Sequence, residues 1–315
     1  MSNKILVTDN LFIFDEHVKK LEAAGFEVER LDKPEAIEAE LIEAVKGKLG
    51  YILGGIEQVT EKVIDAADEL KAIAFTGIDQ AAYIPAWKYA LKKGISISNV
   101  PDGPTDAVAE WAMGAALLMN RGYLQLGDGF GDKTTLITHG LLNQVVGIIG
   151  LGRIGTRITE MLQPFKPAKV IYTSLHQHED KEQSLGVKFE PNLQKLLAQC
   201  DVVFLAVPST SGPGFFAKPQ FDAMKKDALL VSFVHTGVID SDSLFDAVSS
   251  GKVRAISDLP VDERFSKLAH DKWFSFKLSN AYLTAPSLAY TSNVATQSMI
   301  NMLTKGDDEY IVEED

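Results

Sequence analysis

The chain has 315 residues, of which 46% are hydrophobic and 23% charged, with a formal net charge of −12 and one cysteine. This length favours two domains over one, each large enough to bury a core, and the acidic balance argues against nucleic acid or an anionic membrane as a partner. The lone Cys200 rules out an internal disulfide and fits a reducing, cytoplasmic setting.

The first residues run directly into the apolar Ile5-Leu6-Val7, so no signal peptide is expected, and no apolar run is long enough for a membrane helix. Strands are predicted over 4–7, 26–31, 51–53, 72–75 and 95–98. Helices are predicted between them over 14–24, 34–46 (with Pro34 as a starter), 60–70 and 83–93. Such alternation implies a parallel sheet covered by helices on both faces. The turn cluster Asn99-Val100-Pro101-Asp102-Gly103-Pro104 marks a candidate boundary. A helix follows over 105–121, with Val108, Trp111, Ala112, Ala115 and Leu118 along one side. Residues 122–142 read either as an arm over a partner subunit or as a surface loop.

The stretch Val145-Val146-Gly147-Ile148-Ile149 then ends in Gly150-Leu151-Gly152-Arg153-Ile154-Gly155, a G-x-G-x-x-G turn. Residues 156–162 continue as a helix with Ile154, Ile158 and Leu162 on one face. Strand, tight turn and helix are the context that a dinucleotide phosphate requires. The first glycine permits the turn, the second lets backbone approach the pyrophosphate, and the third lets helix pack on strand. Helix-start amides and the helix dipole then face the phosphate charge. Farther on, strands are predicted around Val170, Val202, Leu229 and Val253, and another at Tyr282-Leu283-Thr284. Cys200, just before the apolar run 202–206, reads as a small core residue. A helix over 293–305 is expected to return to the first unit, and 306–315 is expected to fray.

Several of these stretches occur in a distinctive order: Gly77-Ile78-Asp79-Gln80, Asn99-Val100-Pro101, Ala107-Val108-Ala109-Glu110-Trp111, the glycine turn, Gly237-Val238-Ile239-Asp240, and Gly251-Lys252-Val253 with Asp258. Together they resemble the D-isomer-specific 2-hydroxyacid dehydrogenases over nearly the whole chain. The resemblance implies an α/β protein of two doubly wound parallel-sheet domains. A Rossmann cofactor domain, residues 99–288, would be inserted into a flavodoxin-like substrate domain of residues 1–98 and 289–315, with a small-molecule substrate in the cleft between them. It also implies a homodimer, Asp258 near the nicotinamide, and Val207 and Pro208 lining the cofactor.

The family's chemistry uses an arginine for the substrate carboxylate and carbonyl, and a histidine proton donor braced by a carboxylate. Here His235 stands where the arginine is expected and Ser287 where the histidine is expected, while Glu263 matches the carboxylate. Histidine lacks arginine's planar two-point grip on a carboxylate, and a serine hydroxyl is too weak an acid to replace imidazolium. Two readings stay open. In one, His235 has taken the acid role beside Glu263, with Ser287 helping to hold the substrate oxygen and backbone amides near Gly77 and Ile78 holding any carboxylate. In the other, the chain is a catalytically inactive dinucleotide-binding sensor or assembly protein. Arg254 and Arg264 are the candidates to replace the missing arginine.

The strand beginning near Val170 should end in an acid that binds the adenosine ribose hydroxyls and repels a 2′-phosphate. Thr173 and Ser174 stand there instead, which tilts the cofactor from NAD toward NADP. Against that tilt, residues 173–178 hold no Arg or Lys, and Glu179, Asp180 and Glu182 follow closely.

Overall fold

The computed structural model describes residues 2–8, 13–33, 35–127, 137–235, 237–258, 262–275 and 279–314. The chain divides into two units: Met1–Pro104 with Leu283–Asp315, and Thr105–Tyr282.

In the first unit, β1 (Lys4–Thr8), β2 (Glu27–Leu31), β3 (Gly50–Leu53), β4 (Ala72–Phe75) and β5 (Ser96–Ser98) pair in parallel in the order β2-β1-β3-β4-β5. This is the flavodoxin-like strand order. Leu6, Tyr51, Leu53, Ile73 and Ile97 build one core with Leu41, Val63 and Ile64 from the covering helices Glu38–Ala44 and Glu61–Ala66. The long helix Ala285–Lys305 also packs on β3 and β4. Gly50 makes that approach feasible, because a Cβ there would lie 2.5 Å from the Met299 sulfur.

The second unit carries seven parallel strands: β6 (Val145–Ile149), β7 (Lys169–Thr173), β8 (Lys188–Phe189), β9 (Val202–Leu205), β10 (Ala228–Ser232), β11 (Val253–Ser257) and β12 (Trp273–Ser275). Their order is β12-β11-β10-β9-β6-β7-β8, so chain direction across the sheet reverses between β6 and β9. That is the Rossmann arrangement, and ligands of such sheets bind outside the carboxyl ends of the strands at the reversal. Period-two alternation splits the strands between two cores. Val146 and Ile148 face the helices Thr105–Asn120 and Arg153–Leu162, whose Ala109, Ala112, Ala116, Ile158 and Leu162 complete that layer. Ile149, Val203, Leu205 and Leu230 face the opposite core with Leu196, Phe221 and Leu244.

Several expectations need correction. The helix expected over 83–93 is two, Gln80–Tyr83 and Trp87–Lys92, because Pro85 can neither donate its backbone bond nor fit a helix interior. The helix expected from residue 34 begins at Glu38, and Pro34 itself lies outside the described residues. Tyr282-Leu283-Thr284 is not a strand: Thr284 caps the helix Ala285–Lys305, and its side chain accepts the Ser287 amide. That helix therefore starts eight residues before the expected 293. Strands β8 and β12 were not anticipated; at two and three residues they carry too little period to be seen. The tail does not fray, since the Val312 amide bonds Ile97 O at 2.8 Å and the Ser298 hydroxyl bonds Asp308 at 2.8 Å. The arm-or-loop stretch 122–142 holds a short helix, Tyr123–Gly127, and its residues 128–136 lie outside the described residues.

The division between units also falls a few residues from the expected 98/99 and 288/289. Residues 99 and 100 stay with the first unit through the Asn99 side chain on Ile78 O and the Val100 amide on Gly77 O, both at 2.9 Å. The return point precedes the capped helix start, because a break at 288 would cut through its first turn.

Gly147 and Cys200 occupy one small volume. A Cβ on Gly147 would meet the Cys200 sulfur at 2.7 Å, so the cysteine fills the space that the glycine leaves. Burial pushes the Cys200 thiol up to about 12. The thiolate is the reactive form, so Cys200 should resist alkylation by iodoacetamide in the native protein and react fully once unfolded by guanidinium. Native-state labelling at the rate of a free thiol would contradict this packing.

Candidate functional site

The turn after β6 is shaped by backbone contact. Gly150 has φ +94°, and a Cβ there would lie 2.3 Å from Ala206 O beyond β9. Gly155 lies against Gly150 itself, its Cβ position only 2.0 Å from Gly150 O. Both glycines are therefore required by close approach of main chain to main chain. Gly152 is different: a Cβ there would meet nothing within 4 Å. Gly152 is the N-cap of the ten-residue helix Arg153–Leu162, and no side chain caps it. Arg153 is exposed and Ile154 half-buried in the first turn. An uncapped helix start facing open space at the reversal point of the sheet fits a pyrophosphate, which would take the first-turn amides as donors.

Thr173 closes β7 next to this turn, and Gly150 donates its amide to Thr173 O at 2.8 Å. Beyond it the half-buried Ser174 donates its hydroxyl to His176 O. On the other flank, Val207 lies beside Gly150, its Cγ1 at 3.4 Å from the Cβ position, and Pro208 is exposed before the turn Ser209–Ser211. The sequence reading missed Lys181. Its Nζ donates to Leu151 O and to the Thr156 hydroxyl, each at 3.0 Å, and so reaches back onto the glycine turn. The signal was the helical register of Glu179–Leu185, which sends position 181 to a different side from its acidic neighbours.

The remaining candidates of the second unit follow β10 and β11, which are adjacent with Ser232 opposite Ser257. His235 is half-buried three residues beyond β10, and its carbonyl accepts the Val238 amide at 3.3 Å. Glu263 is exposed at the start of the turn Glu263–Lys267. The neighbouring Asp262 caps that turn, and Arg264 holds its carboxyl well below the usual carboxylate range. Arg264 is committed there, at 2.7 Å to Asp262 and 2.8 Å to Asp242. Arg254 is near the amino end of β11, bonded to Asn120 Oδ1 at 3.0 Å and Asp227 O at 3.2 Å. It therefore lies at the end of the sheet away from the glycine turn.

Asp258, expected near the nicotinamide, is 3% exposed, and both its oxygens are engaged within the protein. Oδ1 accepts the amides of Asn280 at 3.0 Å and Ala281 at 3.1 Å, and Oδ2 accepts the Ser279 hydroxyl. Its visible work is to fasten residues 279–281 to the end of β11.

In the first unit, Gly77 and Ile78 follow β4, and their carbonyls accept from Val100 and Asn99. Ser287 is buried in the first turn of Ala285–Lys305, where its carbonyl accepts the Thr291 hydroxyl at 3.0 Å.

Comparison with known proteins is consistent with this geometry. Residues 115–286 match the family model for the D-isomer specific 2-hydroxyacid dehydrogenase, NAD binding domain. The chain is 32% identical over 259 residues to D-3-phosphoglycerate dehydrogenase of Methanocaldococcus jannaschii, covering 80% of this chain and 48% of that protein. It is thus similar to about half the length of that relative. It is 30% identical over 321 residues to glyoxylate reductase of Pyrococcus horikoshii, covering 97% and 92% of the two chains. The NAD+-bound 3-phosphoglycerate dehydrogenase of Entamoeba histolytica superposes with a TM-score of 0.84 at 20% identity, covering 100% of this chain and 99% of that one.

The glycine geometry yields a paired prediction. Gly155→Ala places a methyl against a carbonyl that no rotamer change can move, and should cost about 3 kcal/mol of stability. Gly152→Ala meets no atom and should cost under about 1 kcal/mol, the price of a poorer helix cap. Guanidinium unfolding followed by circular dichroism compares the two, and equal losses would contradict the asymmetry.

Proposed function

Because the chain belongs to the D-isomer specific 2-hydroxyacid dehydrogenase family, we propose that it is a nicotinamide-dinucleotide-dependent oxidoreductase with an altered acid, reducing a carbonyl or related group. The observation that carries this reading is the glycine turn, where two glycines are required by backbone contact and the third faces open space at a bare helix start. The bound nicotinamide would supply the hydride equivalent. The chain's own residues must then bind, orient and protonate.

His235 is our candidate proton donor to the substrate oxygen. It follows β10 near the carboxyl end, and imidazole is the side chain suited to releasing a proton near neutral pH. Glu263, on the loop after the adjacent β11, is the proposed carboxylate partner of His235. On family membership rather than geometry, the substrate's polar ends are assigned to Ser287 and to the backbone at Gly77 and Ile78. Arg254 and Arg264 are committed to other partners, which supports a substrate other than a standard 2-oxo acid. Thr173 in place of an acid supports NADP over NAD.

Titration calorimetry with NADPH and NADH, followed by a carbonyl and imine reduction screen, tests the proposal. Binding is expected, with turnover on some member of the screen and poor turnover on pyruvate, glyoxylate and hydroxypyruvate. With the best substrate found, His235→Ala should lower kcat by about 10²–10⁴-fold while dinucleotide affinity stays the same. An unchanged kcat removes His235 from the chemistry. Cofactor binding with no turnover across the screen would favour an inactive binding protein.

A further inference from the structure

The end of β7 is where a Rossmann sheet distinguishes an adenosine ribose that carries a 2′-phosphate from one that does not. The acids Glu179, Asp180 and Glu182 follow it closely and would repel a phosphate if they faced it. Glu182 is engaged within the protein. Its Oε1 accepts the Tyr172 hydroxyl at 2.9 Å and the Gln177 amide nitrogen at 2.8 Å. Glu179 and Asp180 are exposed at the helix start, which their charge favours.

Lys181 goes the other way. It is half-buried, and two of its three donors are taken by Leu151 O and the Thr156 hydroxyl, both at 3.0 Å. Thr173 is joined to the same turn through the Gly150 amide at 2.8 Å, so the strand end and the ammonium converge on one short piece of main chain. A third donor then remains for a ligand oxygen, and the end of β7 carries hydroxyls rather than an acid. We propose that Lys181 is the specificity-determining cation of the cofactor site, holding the 2′-phosphate of NADP and so setting the preference over NAD. This rests on the dinucleotide reading above. The competing role for Lys181 is a fastener of the glycine turn, which would serve both cofactors alike.

Calorimetric titration of NADPH and NADH against the wild type, Lys181→Gln and Lys181→Arg separates these roles. Glutamine keeps a donor for Leu151 and Thr156 but loses the charge, and thermal unfolding of each variant checks that the turn is intact. The wild type should bind NADPH tighter than NADH by about tenfold or more, as one charge-assisted contact allows. In Lys181→Gln that ratio should fall toward one through loss of NADPH affinity, with NADH changing less than about twofold; Lys181→Arg should keep the preference. Added salt should weaken NADPH more than NADH in the wild type and equally in Lys181→Gln. Equal weakening of both cofactors in Lys181→Gln, or a wild type without NADPH preference, overturns the assignment. Binding of neither cofactor by the wild type overturns the dinucleotide reading itself.

Discussion

The second unit depends on one close approach, in which the helix Arg153–Leu162 comes so near to β6 that Gly155 rests on the Gly150 carbonyl. Only hydrogen fits in that space. The contact fixes where the helix starts, and the strand order fixes that this start lies where the sheet reverses. The same crowding operates on the far side of the turn, where Gly150 meets Ala206 O. The helix is held on its outer side by Thr105–Asn120, whose alanines at 109, 112 and 116 permit a short distance between axes. The geometry of the turn and of the helix start is thus a consequence of packing.

Position and chemistry separate in what surrounds this turn. The Rossmann order delivers the loops after β7, β9, β10 and β11 to the same edge of the sheet, whatever residues those loops carry. Three arginines of the second unit are engaged within the protein. Arg264 is shared by Asp262 and Asp242, and Arg254 is tied to Asp227 and Asn120 at the opposite end of β11. Arg157, on the helix after the turn, pairs with Asp106 and Glu160. His235, half-buried three residues beyond β10, carries a side chain able to transfer a proton but not to grip a carboxylate at two points.

The fold was legible where side-chain period was long enough to be read. Buried runs such as Ile5-Leu6-Val7 and Val202-Val203-Phe204-Leu205 are parallel strands because both faces are covered, and the glycine turn identified β6 and its helix. The two-residue β8 and the three-residue β12 had too few positions to show a period. Tyr282-Leu283-Thr284 looked like a strand on composition, but Thr284 with Pro286 beyond it is a helix start, and the capping signal outweighed the apolar one. Within the site, main-chain positions such as Gly150 and Gly155 were readable because glycine has few reasons to recur at that spacing. The partners of Lys181 and Asp258 were not readable, because they depend on how a helix packs and where a loop returns.

Asp258 shows most clearly why a residue's place in a motif does not settle its work. A carboxylate that is 3% exposed is stabilised in burial by hydrogen bonds to both its oxygens, and here two amides and a hydroxyl supply them. Those donors come from residues 279–281, so the charge is balanced by a loop that it holds in place in return. Removing the carboxylate would leave buried amides and a hydroxyl without their acceptor, at about 1–3 kcal/mol each. The carboxylate is therefore better understood as the fastening of β11 to the segment that leaves the second unit. What the structure leaves uncapped at this edge of the sheet is the helix start after Gly152, whose first-turn amides no side chain accepts.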